Sequence, residues 1–181
     1  EAEGALPCCR PEDSGGSRQG HHGLATKGRE VKRILAIDPG LSGGIAYYAN
    51  NRVVVEPMPD TDGDVREVMI NYLSQSDVVY IEKVGGYIGG KGAPGSSMFN
   101  FGRNVGFLHG LIASMLTRCI EVPPQRWQKT LGAGTSKTHG NGWKGHLKGL
   151  AQQRQPSIHI TLKTADAVLI LEHAMIAEGL K

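Results

Sequence analysis

Three carboxylates close or open apolar segments of this chain. The run Ile34-Leu35-Ala36-Ile37 ends on Asp38, and Pro39-Gly40 turns the chain there. The run Val78-Val79-Tyr80-Ile81 ends on Glu82, and Asp166 falls in the first turn of an apolar C-terminal helix. Each has an ordinary explanation. Asp38 caps a turn, Glu82 pairs with Lys83, Arg52 or another base, and Asp166 meets a helix dipole. Taken singly, these explanations are the stronger ones. Taken as a set in one place, the three cannot all stay ionised without a cation. Hard oxygen donors with room for water suit Mg²⁺ or Mn²⁺. Two such ions ~3.5–4 Å apart would clamp an in-line phosphoryl displacement, one activating water and the other stabilising the leaving 3′ oxygen.

Whether they meet depends on the elements that carry them. Lys32–Asp38, Gly43–Ala49 and Arg52–Glu56 read as strands, with Asn50-Asn51 as a hairpin turn because Asn tolerates positive φ. After Pro57 and Pro59, capping oxygens precede Val65, Val68, Met69 and Tyr72-Leu73 at helical spacing. Asp77–Glu82 is the fourth strand, and the loop 83–97 follows with six glycines. A long helix is expected over Met98–Arg118, with Phe99, Phe101, Val105, Leu108, Leu111-Ile112 and Met115-Leu116 as its apolar surface. Gly102, Gly106 and Gly110 recur at every fourth residue of it. Each costs about 1 kcal/mol against Ala, so something should approach that backbone closely: first the sheet, otherwise another subunit or a phosphate backbone. Cys119–Val122 is a fifth strand, Gln125–Leu131 a short helix and 132–142 a basic glycine-rich loop. Trp143–Arg154 reads as a helix with Lys144 and Lys148 on one face, Ile158–Ile160 as an extended piece and Lys163–Ala177 as the last helix. This order matches a ribonuclease H-like α/β fold: a five-stranded mixed sheet flanked by helices, its first three strands an antiparallel meander. In that fold the first and fourth strands are neighbours. Asp38 and Glu82 would stand side by side, and the last helix would bring Asp166 to them.

At 181 residues the chain has room for one sizeable core. Residues 31–181 are expected to form it, after a disordered tail over 1–30 rich in Gly, Ser, Pro and charge. No stretch reaches the ~20 apolar residues of a membrane span, and the N-terminus lacks the apolar core of a secretory signal. The expected location is therefore intracellular: cytoplasm or nucleoid by default, with an organelle or a phage-infected cell left open. Cys8, Cys9 and Cys119 make neither a disulfide framework nor a zinc spacing. Net charge is only +3, but the stretch 83–165 holds eleven Lys or Arg against one acid, Glu121. That positive field suits a polyanionic partner, with a solvated basic face as the plain alternative.

The motifs sharpen this. Ile34-Leu35-Ala36-Ile37-Asp38-Pro39-Gly40 resembles the first motif of RuvC-type Holliday-junction resolvases, and Tyr80-Ile81-Glu82-Lys83-Val84 their second. The segment from Ser97 to Gly106, followed by Gly110, resembles their glycine-bearing helix, especially in phage and organellar branches. Val122-Pro123-Pro124-Gln125-Arg126-Trp127-Gln128-Lys129 resembles the next element, and Ala165-Asp166-Ala167-Val168-Leu169-Ile170 the closing motif. Individually these are weak; in this order they are fairly specific.

The resemblance implies a metal-dependent, structure-selective endonuclease that resolves four-way DNA junctions symmetrically, leaving 5′-phosphate and 3′-hydroxyl ends. It implies a homodimer, since two strands are cut, and two Mg²⁺ or Mn²⁺ ions per site. Asp38 would be the shared ligand, Glu82 and Asp166 would complete the set, and Lys144 would act near the scissile phosphate. One departure stands out. The family usually has a fourth acid, or a His, just before the last Asp, where this chain has Leu162, Lys163 and Thr164. On the DNA side, Lys91, Arg103, Arg126, Lys129, Lys137, Lys144 and Lys148 are the candidate phosphate contacts. Tyr87 and Ile88 are placed to stack on or wedge between bases, with loop packing an equal alternative for Tyr87. Trp127 reads as core, and His109, His146 and His159 have no evident partner. Two other functions stay open. One is a non-catalytic branched-DNA-binding module. The other is an actin-like or sugar-kinase-like ATPase, whose phosphate loop Asp38–Gly44 could imitate.

Overall fold

The computed structural model describes Cys9–Pro11 and residues 33–85 and 94–181. Its strands are β1 (Cys9–Pro11), β2 (Ile34–Asp38), β3 (Gly44–Ala49), β4 (Arg52–Pro57), β5 (Val78–Glu82) and β6 (Arg118–Val122). Its helices are α1 (Asp62–Leu73), α2 (Gly95–Ser114), α3 (Pro124–Leu131), the short α4 (Ser136–His139), α5 (Trp143–Arg154) and α6 (Ala165–Ala177). The sheet runs β1-β6-β5-β2-β3-β4. β2, β3 and β4 form the antiparallel meander, while β5 runs parallel to β2, and β6 parallel to β5. β2 to β6 are the five expected strands. The sixth, β1, pairs parallel with β6 and falls in the stretch expected as tail, the rest of which lies outside the described residues.

Period-two alternation sorts each strand between two layers. Ile34, Ala36, Ala46, Val78, Tyr80, Ile120 and Val122 face a core built with α3, α5 and α6. Leu35, Ile37, Ile45, Val79 and Ile81 face the other core, with α1 and α2. α6 is buried along nearly its whole length, every residue from Ala165 to Met175. A helix apolar all round belongs in the middle of a layer, with the sheet below and helices beside it. Asn50 and Asn51 both adopt positive φ, 51° and 60°, as the hairpin turn requires. At the opposite end of the sheet from Asp38, the Arg33 guanidinium clasps Asp77 at 2.9 and 3.2 Å, tying the starts of β2 and β5 together.

Two local expectations are corrected. The glycine face of α2 does not meet the sheet: among the described residues, a Cβ at Gly102, Gly106 or Gly110 would touch nothing within 4 Å. The helix buries Asn104, Leu108 and Ile112, each two positions on and so roughly 200° round the axis. Phe99 and Leu116, expected in the apolar surface, are exposed; Leu116 lies past the helix end at Ser114. At Ile158–Ile160, the extended piece before α6, one side chain takes the backbone groups: Gln152 donates to the Ile158 carbonyl at 2.8 Å and accepts from the Ile160 N–H at 3.3 Å.

Candidate active site

Alternation decides where the carboxylates go. Asp38 follows Ile34 and Ala36 by twos, and Glu82 follows Val78 and Tyr80, so both belong to the α6 layer. β2 and β5 are adjacent and parallel, so both strands end at the same edge. Asp166 arrives from above in the first turn of α6 and is 7% exposed.

Gly44 makes that arrival possible. It pairs with Asp38 across the β2–β3 ladder. A Cβ on it would stand 2.8 Å from the Lys163 carbonyl oxygen and 3.1 Å from the Thr164 Cα. The chain entering α6 therefore passes directly over the residue opposite Asp38. Thr161 and Thr164 shape the entry reciprocally, each backbone N–H donating to the other's hydroxyl, at 3.0 and 3.3 Å. On the far side of Asp38, Gly40 adopts φ +107° with the Phe101 ring packed where a Cβ would stand. Its N–H donates to the buried Asn104 Oδ1 at 3.0 Å. α2 thus pins the turn that follows Asp38.

The electrostatics are those of a crowded anionic site. Burial pushes Asp38 up to about 8, helped by the charges of Asp166 and Glu82 and opposed by Lys144. Burial pushes Glu82 up to about 7; a hydrogen bond from Trp127 opposes this, Asp166 adds to it and Lys144 opposes it. Lys144, in the first turn of α5, sets its ammonium on Asp166 Oδ2. Burial works to lower its affinity for a proton, but Asp166, then Asp38 and Glu82, outweigh that and hold it above the ordinary lysine value. The other oxygen of Asp166, Oδ1, is buried with no hydrogen-bond partner among the described residues. Three hard carboxylate donors, one orphaned oxygen and more negative charge than one ammonium cancels fit a divalent cation. Among the described residues, no three His, Cys, Asp or Glu side chains stand as a ready ligand group. Lys144 holds the place on Asp166 instead.

The structure therefore brings together Asp38, Glu82, Asp166 and Lys144. Lys148 lies one turn after Lys144 on α5, and Lys137, Arg126 and Lys129 are exposed on α4 and α3 of the same half. Arg103 is not brought in: it sits in the α2 layer and pairs with Asp62 at 2.7 and 3.1 Å. Tyr87, Ile88 and Lys91 lie outside the described residues. Lys163 is exposed, three positions before Asp166.

Two participants escaped the sequence reading. Trp127 is core, as expected, yet its Nε1–H donates to Glu82 Oε2 at 3.0 Å. The register Glu82↔Val122 carries the signal for this, since α3 begins two residues after Val122 and must start beside Glu82. The other is Asn104, for which no local pattern exists. His146 also finds partners: the Ala133 carbonyl at 2.9 Å and the His139 ring, stacked with centroids 3.8 Å apart. His109 Nε2 lies 3.5 Å from Glu121.

No protein-family model matches the chain, nor does the sequence of any curated protein. Solved structures do. Thermus thermophilus RuvC superposes with a TM-score of 0.50 over 81% of this chain and 96% of that one, at 14% identity. The same fold is RuvC's. A second structure, T. thermophilus RuvC in complex with a Holliday junction substrate, gives a TM-score of 0.51 over 82% of this chain and 96% of that one, again at 14% identity. The yeast mitochondrial Holliday junction resolvase Ydc2 aligns over 82% of this chain and 80% of its own, with a TM-score of 0.44 at 15% identity. The RuvC likeness agrees with the ribonuclease H-like architecture expected from the element order. Among the described residues no helix is long and apolar enough to cross a membrane.

Proposed function

We propose that this chain is a metal-dependent, structure-selective endonuclease that cuts four-way DNA junctions. The observation that carries the reading is the meeting of Asp38, Glu82 and Asp166 at one sheet edge, with Lys144 poised on Asp166. The RuvC fold and the motif order support it. In this reading Asp38, Glu82 and Asp166 hold Mg²⁺ or Mn²⁺, two ions per site. The cations would supply positive charge to the phosphorane-like transition state and acidify the attacking water. The protein's own part is mostly positioning. Asp38 and Glu82 are fixed by the sheet edge, and Asp166 by its seat on the core helix α6. Lys144 exchanges its carboxylate for a non-bridging phosphate oxygen, where its ammonium holds the scissile group and offsets developing charge. Lys148, Lys137, Arg126 and Lys129 contact flanking phosphates, and Tyr87 and Lys91 are further DNA contacts in this reading.

Cutting two strands symmetrically needs two sites, so the acting form is a homodimer. The open glycine face of α2, with the exposed Phe99 at its start, is the surface that a second copy would cover.

One observation favours a second reading. Lys163 stands where the resemblance calls for an acid or His, so the chain could bind junctions without cutting them. A synthetic four-way junction, incubated with Mg²⁺ or Mn²⁺ beside a linear duplex, separates the two. Junction cleavage by the native chain that disappears in Asp38→Asn supports the enzyme. Tight, selective binding without cleavage under either metal replaces it with the binding module.

A further inference from the structure

Trp127 meets the site through one atom. Its indole is 1% exposed, packed in the core shared by the sheet, α5 and α6. Both ends of α3 are fixed: Pro123 and Pro124 start it, and Gly132 ends it in the left-handed region at φ 66°. Past that end, the Ala133 N–H bonds back to the Gln128 carbonyl at 2.9 Å. The ring therefore has little freedom to swing.

A buried indole N–H needs an acceptor, and a backbone carbonyl would satisfy it. Here the acceptor is Oε2 of Glu82, a side chain at the open end of a strand with several rotamers available. The bond commits one carboxylate oxygen and restrains the side chain's choice of rotamer. Resting on the proposed metal site, we propose that Trp127 is a positioning residue: its N–H sets the orientation in which Glu82 takes a divalent cation. The hydrogen bonds of outer-shell groups typically set metal affinity by about 10- to 100-fold. A rigid donor on a capped helix is the arrangement that would do so.

The test deletes the N–H and keeps the ring. Trp127 is replaced in the full chain by 3-benzothienylalanine, which puts sulfur where the N–H was, with Trp127→Phe as a genetically simpler partner. Melting temperature, Mn²⁺ affinity by calorimetry without DNA, and junction cleavage across a Mn²⁺ titration are measured. The expected result is a melting temperature for the benzothienyl protein close to that of the native chain. Mn²⁺ binding should weaken about 10- to 100-fold, and cleavage should recover at saturating Mn²⁺. A benzothienyl protein that binds Mn²⁺ like the native chain overturns the proposal and leaves the nuclease reading intact. A loss of cleavage with an unchanged Mn²⁺ midpoint also overturns it, because the ring would then act through packing. A native chain that neither binds Mn²⁺ nor cuts removes the metal site itself, and this proposal with it.

Discussion

Replacing Asp38 with Asn should make the protein more stable while abolishing cleavage. Asp38 is pushed from an ordinary 3.8 to about 8 because burial, Asp166 and Glu82 all disfavour its charge. Each tenfold change in proton affinity is worth about 1.4 kcal/mol, so the charged form is disfavoured by a ceiling of about 5–6 kcal/mol. Water reaching the open strand end screens part of this, leaving about 2–3 kcal/mol. The sign follows from proton binding. The folded state holds this proton more tightly than the unfolded chain, so its contribution is fully present below about pH 4 and drains away as pH rises to about 8. Glu82, raised to about 7, adds to the same slope. Asn carries no such charge. In EDTA, urea unfolding should therefore show Asp38→Asn more stable than the native chain by about 2–3 kcal/mol near pH 8, and by about 1 kcal/mol or less near pH 5. Added Mg²⁺ should stabilise the native chain and leave the variant almost unmoved. A variant less stable than the native chain at both pH values would refute the crowded-anion account of the site. So would a gain that does not grow with pH.

Lys144→Ala should lower the junction cleavage rate by about 100-fold or more while weakening junction affinity much less; single-turnover rates beside gel-shift affinities check this, and equal losses would reduce Lys144 to an ordinary phosphate contact. Gly44→Ala should cost about 1–3 kcal/mol, since its Cβ would strike the Lys163 carbonyl oxygen at 2.8 Å and the Glu56 carbonyl oxygen at 3.0 Å. Because that collision displaces the entry to α6, metal-stimulated cleavage should fall further than stability does, as urea titration and the junction assay together will show. Junction binding should weaken steeply as salt rises, with a log–log slope set by the phosphate contacts of α3, α4 and α5; a flat response would remove the electrostatic interface.

Much of the fold was legible because it is written in local signals. Short apolar runs marked β2, β3 and β5, the Asn50-Asn51 pair marked the hairpin, and helical spacing marked α1 and α6. Asp38, Glu82 and Asp166 were visible as polar residues at the ends of apolar runs. The errors came where a local pattern had more than one three-dimensional solution. The glycines of α2 announced a bare face, but nothing in their spacing said which way it pointed; the burial of Asn104, Leu108 and Ile112 on the sheet turned it outward. For the extended piece Ile158–Ile160, no local pattern named Gln152 of the preceding helix as the partner of its backbone groups.

The sequence by itself, then, determined which residues carry charge at element ends, and therefore what chemistry a site could do. It did not determine that they meet. That required β5 to lie beside β2, and Gly44 to be small enough for the entry to α6 to cross it. The partners were decided only by the fold: Lys144 on Asp166, Trp127 on Glu82, Asn104 on the Gly40 N–H. Each of these pairs joins residues far apart in the chain, and a contact between distant residues leaves no periodicity in a sequence. Its cause is the packing of whole layers, which exists only once the chain has folded.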